Sequence, residues 1–182
     1  MTQQKTIMTL LGPTGSGKDT QADLLANNYG FTVIKIGRLI RALAETNTNI
    51  AQSIQKGELA DDQTVNKLVA EQITTNDSTD KILLDGYPRH IDQAIWLDDH
   101  LKKNGLALSK AIYIDVPDDE VRRRLALRGR ADDVEQNITE RLEIFHRETV
   151  KVIAYYKRDA RLARIDGSGS VEEIYQRIEA VL

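Results

Sequence analysis

The chain has 182 residues and a formal net charge of −3, and 41% of its residues are hydrophobic. These values are typical of one globular domain with a single core, and they provide no overall attraction for nucleic acid or an anionic membrane surface. The absence of cysteine excludes disulfides and thiolate zinc sites. The N-terminus is too polar for a secretory signal, and no apolar run is long enough to span a membrane. We expect a monomeric, cytoplasmic protein.

Five short runs rich in apolar and β-branched residues alternate with segments of helical periodicity. The runs cover residues 6–11, 32–36, 81–84, 111–115 and 162–166. Strands that alternate with helices are typical of parallel βαβ units. The pattern therefore predicts an α/β fold with a five-stranded parallel sheet and helices on both faces.

The segments between the runs predict the helices. The polar interval 37–80 is long enough for two or three helices, and we interpret it as an insertion rather than a separate domain. Apolar residues spaced from Ile138 to Tyr156 predict one long amphipathic helix. Ser170 and Glu173 form a capping-box pattern, which predicts the start of a final helix.

A glycine-rich loop, GPTGSGKDT at residues 12–20, follows the first predicted strand directly. Glycines allow successive backbone N–H groups to converge on phosphate oxygens in front of a helix N-terminus. In such a loop Lys18 reaches the β- and γ-phosphates, and a hydroxyl near the end serves the metal. The loop therefore predicts a site for the phosphates of ATP. Its candidate residues are Gly12, Gly15, Ser16, Gly17, Lys18, Asp19 and Thr20.

A second motif, KILLDGYPR at residues 81–89, follows the polar interval. Asp85 ends an apolar strand beside the phosphate loop, where a carboxylate is placed to hold Mg²⁺ or its water shell. Arg89 carries a planar guanidinium that suits a second phosphate. The motif thus predicts a metal position and a further phosphate contact.

The two motifs, in this order and at this spacing, resemble the adenylate kinase family of nucleoside monophosphate kinases, and the likeness extends over nearly the whole chain. The resemblance implies a P-loop NTPase fold in one domain, residues 1–182, with an acceptor-binding helical insertion at about 37–66 and a minimal lid at about 128–133. It also implies that the first strand is central in the sheet and that the Tyr87–Pro88 bond is cis. The implied activity is Mg²⁺-dependent transfer of the terminal phosphate of ATP to a nucleoside monophosphate, with AMP as the expected acceptor.

The resemblance implies roles for residues of the acceptor site. Arg41 and Arg89 would bind the acceptor phosphate, and Gln93 would hydrogen-bond the adenine of AMP. The full acceptor set is Ile36, Gly37, Arg41, Glu58, Leu59, Ala60, Gly86, Arg89, Gln93, Arg130 and Arg141.

Four arginines near the predicted lid complete the implied site. Arg124 and Arg128 share one face of a predicted helix. By resemblance they belong to the ATP site together with Gly169, and Arg130 and Arg141 join them around the transferred phosphate. Arg130 and Arg141 would be about three helical turns apart if that stretch is helical. The metal would be held by Asp85 through water and by Thr20, with Asp19 as a further candidate. The catalytic set is Lys18, Asp85, Arg89, Arg124, Arg128, Arg130 and Arg141.

Three positions depart from the family pattern. Asp19 replaces a glycine, Arg38 replaces an aspartate, and Ile36 replaces a threonine that is usual in AMP-specific members. Two alternatives stay open: a kinase for UMP, CMP or a deoxynucleoside monophosphate, and a nucleotide-binding protein without turnover. We hypothesise that Asp19 and Arg38 compensate for each other, either by pairing or because Asp19 takes an outer-sphere role at the metal.

Overall fold

The structure is a computed structural model that describes residues 5–55, 60–76, 79–130 and 133–182. Five parallel strands form one sheet in the order β2-β3-β1-β4-β5. The strands are β1 (Thr6–Leu11), β2 (Thr32–Lys35), β3 (Lys81–Asp85), β4 (Leu108–Asp115) and β5 (Leu162–Asp166). The predicted α/β P-loop NTPase fold is confirmed, including the central place of the first strand.

Helices connect the strands. They are α1 (Lys18–Tyr29), α2 (Ile36–Ala44), α3 (Thr48–Gln55), α4 (Asp62–Thr75), α5 (Ile91–Lys103), α6 (Asp118–Arg128), α7 (Glu135–Ile144), α8 (Val150–Arg158) and α9 (Val171–Glu179). A π-helical turn, Phe145–Thr149, joins α7 to α8. The described part of the interval after β2 contains three helices, in agreement with the two or three that its length predicted.

The side chains of β1 alternate between two hydrophobic cores, one on each face of the sheet. Ile7 and Leu11 pack into the core formed with α4, α5 and α8. Met8 and Leu10 pack into the core formed with α1, α6 and α9. This alternation follows from the pleat of a strand, in which successive side chains point to opposite faces. The helices cover both faces of the sheet, as predicted.

Of three local predictions about helices, two differ from the structure and one agrees with it. The long helix predicted between Ile138 and Tyr156 is divided by the π-helical turn, at which Thr149 Oγ1 donates to the Arg89 carbonyl at 3.0 Å. Arg130 lies outside any helix, because Gly129 (φ 61°) ends α6 in the left-handed conformation. The condition for a helical spacing between Arg130 and Arg141 is therefore not met, since α7 begins only at Glu135. The capping box at Ser170 is confirmed, with both reciprocal hydrogen bonds present.

Candidate active site

The phosphate loop lies where β1 ends and α1 begins, at the carboxyl edge of the sheet. Gly12, Gly15 and Gly17 all have positive φ values. A Cβ on Gly12 would lie 2.7 Å from the carbonyl oxygen of Ile114, and one on Gly15 would lie 2.8 Å from Cγ of Leu125. Both distances are too short for a side chain, so the close packing of the loop against β4 and α6 requires glycine at these two positions.

Lys18 begins α1 and folds its side chain back into the loop. Its ammonium donates to the carbonyl oxygens of Gly12 and Pro13, both at 2.8 Å, and to Ser16 Oγ at 3.3 Å. These acceptors hold the charge at the centre of the loop. Burial lowers the pKa of Lys18 to about 8, although the charge of Asp85 opposes the shift. The ammonium is therefore largely protonated at neutral pH and carries a charge with little solvation.

Asp85 is the last residue of β3, where it is buried, and its carboxyl group faces Asp19 on α1. Burial raises the pKa of Asp85 to about 7, and a hydrogen bond with Asp19 adds to the increase. Burial would also raise the pKa of Asp19, but that hydrogen bond and the charge of Lys18 outweigh burial and lower it. The two carboxyl groups thus share one proton, because both cannot readily be ionised side by side. A cation nearby would favour the ionised form of both.

The donor set around Asp85 fits Mg²⁺. Asp85 and Asp19, whose carboxyl groups are hydrogen-bonded to each other, both line the cleft, and Thr20 also lines it. Within the described ranges there is no group of three or more acidic, histidine or cysteine side chains that could hold a metal by itself. Mg²⁺ commonly takes only one or two carboxylates from the protein and its remaining ligands from phosphates and water. The residues present match that pattern.

A large cationic cleft opens in front of the loop, with a volume of about 1140 Å³ including its solvent-open mouth. Among the described residues, eight cationic side chains and two carboxylates line it. The cations are Lys18, Lys35, Arg38, Arg41, Arg89, Arg124, Arg128 and Arg130, and the carboxylates are Asp19 and Asp85. Such an excess of positive charge in one cleft attracts polyanionic ligands, although the net charge of the chain is negative.

Arg124 connects three parts of the fold at the edge of this cleft. Its guanidinium contacts Glu120 one turn earlier at 2.6 Å, and it donates to the carbonyl oxygens of Ser16 at 3.4 Å and Gly167 at 2.9 Å. The residue therefore joins α6 to the phosphate loop and to the turn before α9. Gly169 lies in that turn, but it does not line the cleft.

Asp133 is a site residue that the sequence prediction missed. Its carboxylate receives two hydrogen bonds from Arg128, at 2.8 and 2.6 Å, and one from Arg141 at 3.4 Å. The side chain is only 1% exposed. It holds two of the predicted arginines toward each other and opposes their mutual repulsion. The only sequence signal was its position in the predicted lid segment 128–133, which also carries Arg128 and Arg130.

A smaller apolar pocket adjoins the cleft on the side of the helical insertion. Its walls are formed by Ile36, Ile40, Ala60, Val65, Gly86, Tyr87, Arg89 and Gln93. Gln93 is the neutral polar side chain in this apolar lining, and it is 2% exposed. Arg89 borders both spaces, and its Nε donates to the Gly86 carbonyl at 3.0 Å. The Tyr87–Pro88 bond is cis, as predicted.

Burial lowers the pKa of Arg89, and the positive charges of Arg141 and Arg41 add to that effect against the opposing charge of Asp85. The guanidinium is thus a half-buried cation among other cations. A phosphate placed at this position would gain the attraction of all three arginines.

The structure brings most of the predicted site residues together. The cleft is lined by Gly15, Gly17, Lys18, Asp19, Thr20, Gly37, Arg41, Asp85, Gly86, Arg89, Arg124, Arg128 and Arg130. Ile36, Ala60 and Gln93 line the apolar pocket, and Gly12 and Arg141 line a third space that Arg89 also borders. Ser16 is buried within the loop. Glu58 and Leu59 lie outside the described residues.

The predicted pairing of Asp19 with Arg38 is wrong. Both residues line the cleft, but within the described ranges Arg38 makes no ion pair. The nearest cation to Asp19 among the ion pairs is Arg130, at 4.0 Å. The other form of the hypothesis, an outer-sphere metal role for Asp19, stays a prediction, and the proximity of Asp19 to Asp85 agrees with it.

None of the helices in the described ranges is both long and apolar enough to cross a bilayer.

Comparison with known proteins gives a consistent result. The family profile described as "Adenylate kinase" matches residues 10–161. An adenylate kinase of Micrococcus luteus is 38% identical over 181 residues, covering 95% of this chain and 88% of that protein. An adenylate kinase of Leuconostoc mesenteroides is 36% identical, covering 95% of each chain. Adenylate kinase 1 of a Nostoc species is 38% identical, covering 97% of this chain and 98% of its own length.

Proposed function

The chain belongs to the adenylate kinase family, and we propose that it transfers the terminal phosphate of ATP to AMP, giving two molecules of ADP. The observation that carries the proposal is the arrangement around Arg89. This side chain borders both the cationic cleft in front of the phosphate loop and the apolar pocket that contains Gln93. A donor on the loop and an acceptor base in the pocket would therefore bring their phosphates together near one guanidinium.

The donor side uses the phosphate loop. Backbone N–H groups of the loop and the N-terminus of α1 bind the phosphates of ATP, and Lys18 contacts the β- and γ-phosphates. Asp85, Asp19 and Thr20 are the residues that would hold Mg²⁺ or its water shell. Bound there with ATP, Mg²⁺ would supply positive charge that offsets the negative charge developing on the phosphates.

The acceptor side orients AMP. Arg41 and Arg89 bind its phosphate, and the adenine enters the apolar pocket beside Gln93. The apolar walls at Ile36, Ala60 and Val65 exclude water from the base. We propose that Ile36 fills the position of the usual threonine without changing the acceptor.

The transfer itself depends on alignment and charge. Phosphoryl transfer builds negative charge on the equatorial oxygens, and the protein contributes mainly by positioning the reactants and stabilising that charge. Arg124, Arg128, Arg130 and Arg141 supply the cations, and Asp133 keeps two of them close together. The mechanism requires no general base.

The rest of the chain supports this reaction. We propose that the insertion at about 37–66 binds the acceptor and that residues 128–133 form a minimal lid over the donor. A monomer in the cytoplasm suits the two nucleotide substrates and the cysteine-free composition.

A coupled assay of ADP formation from Mg²⁺ and ATP with a panel of monophosphates tests the proposal. We expect AMP to give the highest kcat/KM, above UMP, CMP and dAMP, and we expect Lys18→Ala to abolish the rate. A preference for a pyrimidine nucleotide would identify a different acceptor. No ADP from any acceptor would indicate a nucleotide-binding protein without turnover.

A further inference from the structure

The side-chain amide of Gln93 is held at both ends by groups of opposite hydrogen-bonding character. The backbone N–H of Arg89 donates to Gln93 Oε1 at 2.8 Å, and Gln93 Nε2 donates to Asp62 Oδ1 at 2.6 Å. A backbone N–H can only donate, and a carboxylate can only accept. These two neighbours therefore determine which end of the amide is oxygen and which is nitrogen.

Asp62 is itself held in place. It is the first residue of α4, directly after the N-cap residue Asp61. His90, the N-cap residue of α5, places Nδ1 at 2.8 Å from the same Oδ1 atom that accepts from Gln93. Because the carboxylate accepts, the imidazole Nδ1 carries the hydrogen. The Asp62 carboxylate thus connects the start of α4 to the start of α5 and receives two hydrogen bonds from that side.

We propose that Asp62 is a positioning residue that locks the Gln93 amide in the orientation needed for acceptor bases with an exocyclic amino group. The inference rests on the proposed function, in which Gln93 contacts the acceptor base. In the locked orientation Oε1 keeps one lone pair free and Nε2 keeps one hydrogen free. Adenine matches this pair, because its 6-amino group donates and its N1 accepts.

Bases with a carbonyl at that position present the reverse pattern. Hypoxanthine and guanine offer an oxygen at C6 and a hydrogen on N1, so the amide would have to turn end for end to bind them. The turn would place Nε2 against the Arg89 N–H and Oε1 against the Asp62 carboxylate. Two donors and two acceptors would then face each other in a buried site, which strongly disfavours binding.

The amide lock predicts a chemical class of acceptor rather than one nucleotide. Cytosine carries a 4-amino group and an accepting N3, so the lock tolerates it, whereas uracil has the reversed pattern. The size of the apolar pocket must therefore separate AMP from CMP. Selection against IMP, GMP and UMP comes from Gln93 with Asp62 and the Arg89 N–H.

Asp62→Asn tests the proposal, because asparagine keeps the shape but can offer Gln93 either an oxygen or a nitrogen. We expect the ratio of kcat/KM for AMP over IMP to fall by about tenfold, as for one lost hydrogen bond to a charged group. The change should appear mainly as a higher KM for AMP and a lower KM for IMP. Titration of each variant with AMP and with IMP by calorimetry gives the same ratio from binding alone.

Asp61→Asn is the matched control. It also removes one negative charge at the start of α4, but the Asp61 carboxylate caps the helix by accepting from the Thr64 N–H at 2.9 Å. This variant should keep the wild-type AMP/IMP ratio. The proposal is overturned if Asp62→Asn also keeps the wild-type ratio, or if both variants lower it equally.

Failure of the proposed function would look different. In that case the wild-type protein forms no ADP from AMP. The ratio of its affinities for AMP and IMP, measured by calorimetry in wild type and variants, then tests the amide lock without the kinase assay. If the wild type instead uses AMP and IMP equally well, the kinase activity stands and the lock is overturned.

Discussion

The carboxylate of Asp19 lies 4.0 Å from the guanidinium of Arg130. Asp19 follows Lys18 at the start of α1, and Arg130 comes directly after the glycine that ends α6. The pair therefore connects the phosphate loop to the short segment proposed as a lid. Both side chains are about half exposed, at 58% and 45%, so the contact contributes little to stability. Its importance lies in where it places a negative charge, next to Asp85 and opposite the arginines.

Asp19→Asn should raise the Mg²⁺ concentration that gives half-maximal rate at saturating nucleotides by severalfold. The variant keeps the size of the side chain but removes one of the two adjacent carboxylate groups that we propose hold Mg²⁺ or its water shell. Asp23→Asn, on the same helix but paired with Lys35 at 2.6 Å, is the control. An unchanged Mg²⁺ requirement in Asp19→Asn would show that Asp19 does not serve the metal.

Asp19 and Arg130 should be energetically coupled, whereas Asp19 and Arg38 should not. In double-mutant cycles on kcat/KM for ATP, we expect the Asp19→Asn and Arg130→Met changes to interact by about 0.5–1 kcal/mol. The cycle with Arg38→Met should be additive within about 0.3–0.5 kcal/mol, because Asp19 and Arg38 form no ion pair. Coupling in the second cycle but not in the first would contradict this geometry.

Asp85→Asn should stabilise the nucleotide-free protein above neutral pH while abolishing activity. The pKa of Asp85 is raised to about 7 by burial, so the proton bound in the folded state stabilises the fold most at low pH. That contribution is fully present below the unfolded pKa near 3.8 and is lost as the pH rises through about 7. Melting temperatures at pH 5 and pH 8 measure the effect.

The melting temperature of Asp85→Asn should therefore exceed that of the wild type by more at pH 8 than at pH 5. Lys18, whose pKa is lowered to about 8, also titrates in this range, so its titration contributes to the difference in melting temperature at higher pH. An equal gain at both pH values would mean that Asp85 ionises normally in the folded protein.

Asp133→Ala should destabilise the protein by about 2–4 kcal/mol and also lower kcat/KM, because Arg128 and Arg141 lose a buried counter-charge. Urea denaturation and steady-state kinetics measure the two effects. Asp118→Ala, which removes an exposed partner of His146, is the control and should leave both quantities nearly unchanged. A loss in Asp133→Ala no larger than that of the control would contradict a structural role for this carboxylate.

Acceptor-independent hydrolysis of ATP should be detectable. The end of α6 at Arg128 and the start of α7 at Glu135 are separated by residues 129–134, so little chain is available there to exclude water from the transferred phosphate. Phosphate release from ATP and Mg²⁺ should exceed that of a Lys18→Ala control and should fall when AMP is added. Release equal to the control would mean that the short segment excludes water adequately.

The sequence predicted the sheet and the phosphate loop well, because both depend on local patterns. Apolar runs give the strands, and glycines with a lysine between a strand and a helix give the loop. The first strand was central, as implied, since Leu10 pairs with Asp85 of β3 and Leu11 with Tyr113 of β4.

The sequence did not predict side-chain partners, because these depend on where separate segments meet. Asp133 pairs with Arg128 across a turn created by the left-handed Gly129, and no periodic pattern reports that turn. The predicted pairing of Asp19 with Arg38 was wrong for the same reason. Both residues follow strands that end at one edge of the sheet, but a shared edge does not determine where each side chain points. The hydrogen bond between Asp62 and Gln93 likewise depends on the packing of α4 against α5, which no local sequence pattern predicts.

Transfer of label from ATP to AMP tests the central claim most directly. With [γ-³²P]ATP, Mg²⁺ and excess AMP, a phosphotransferase places the label in the β-phosphate of newly formed ADP, whereas a hydrolase releases it as inorganic phosphate. We predict that most of the label appears in ADP within the first turnovers and that Lys18→Ala produces none. Label found only in inorganic phosphate, or left in ATP, would contradict the proposed transfer.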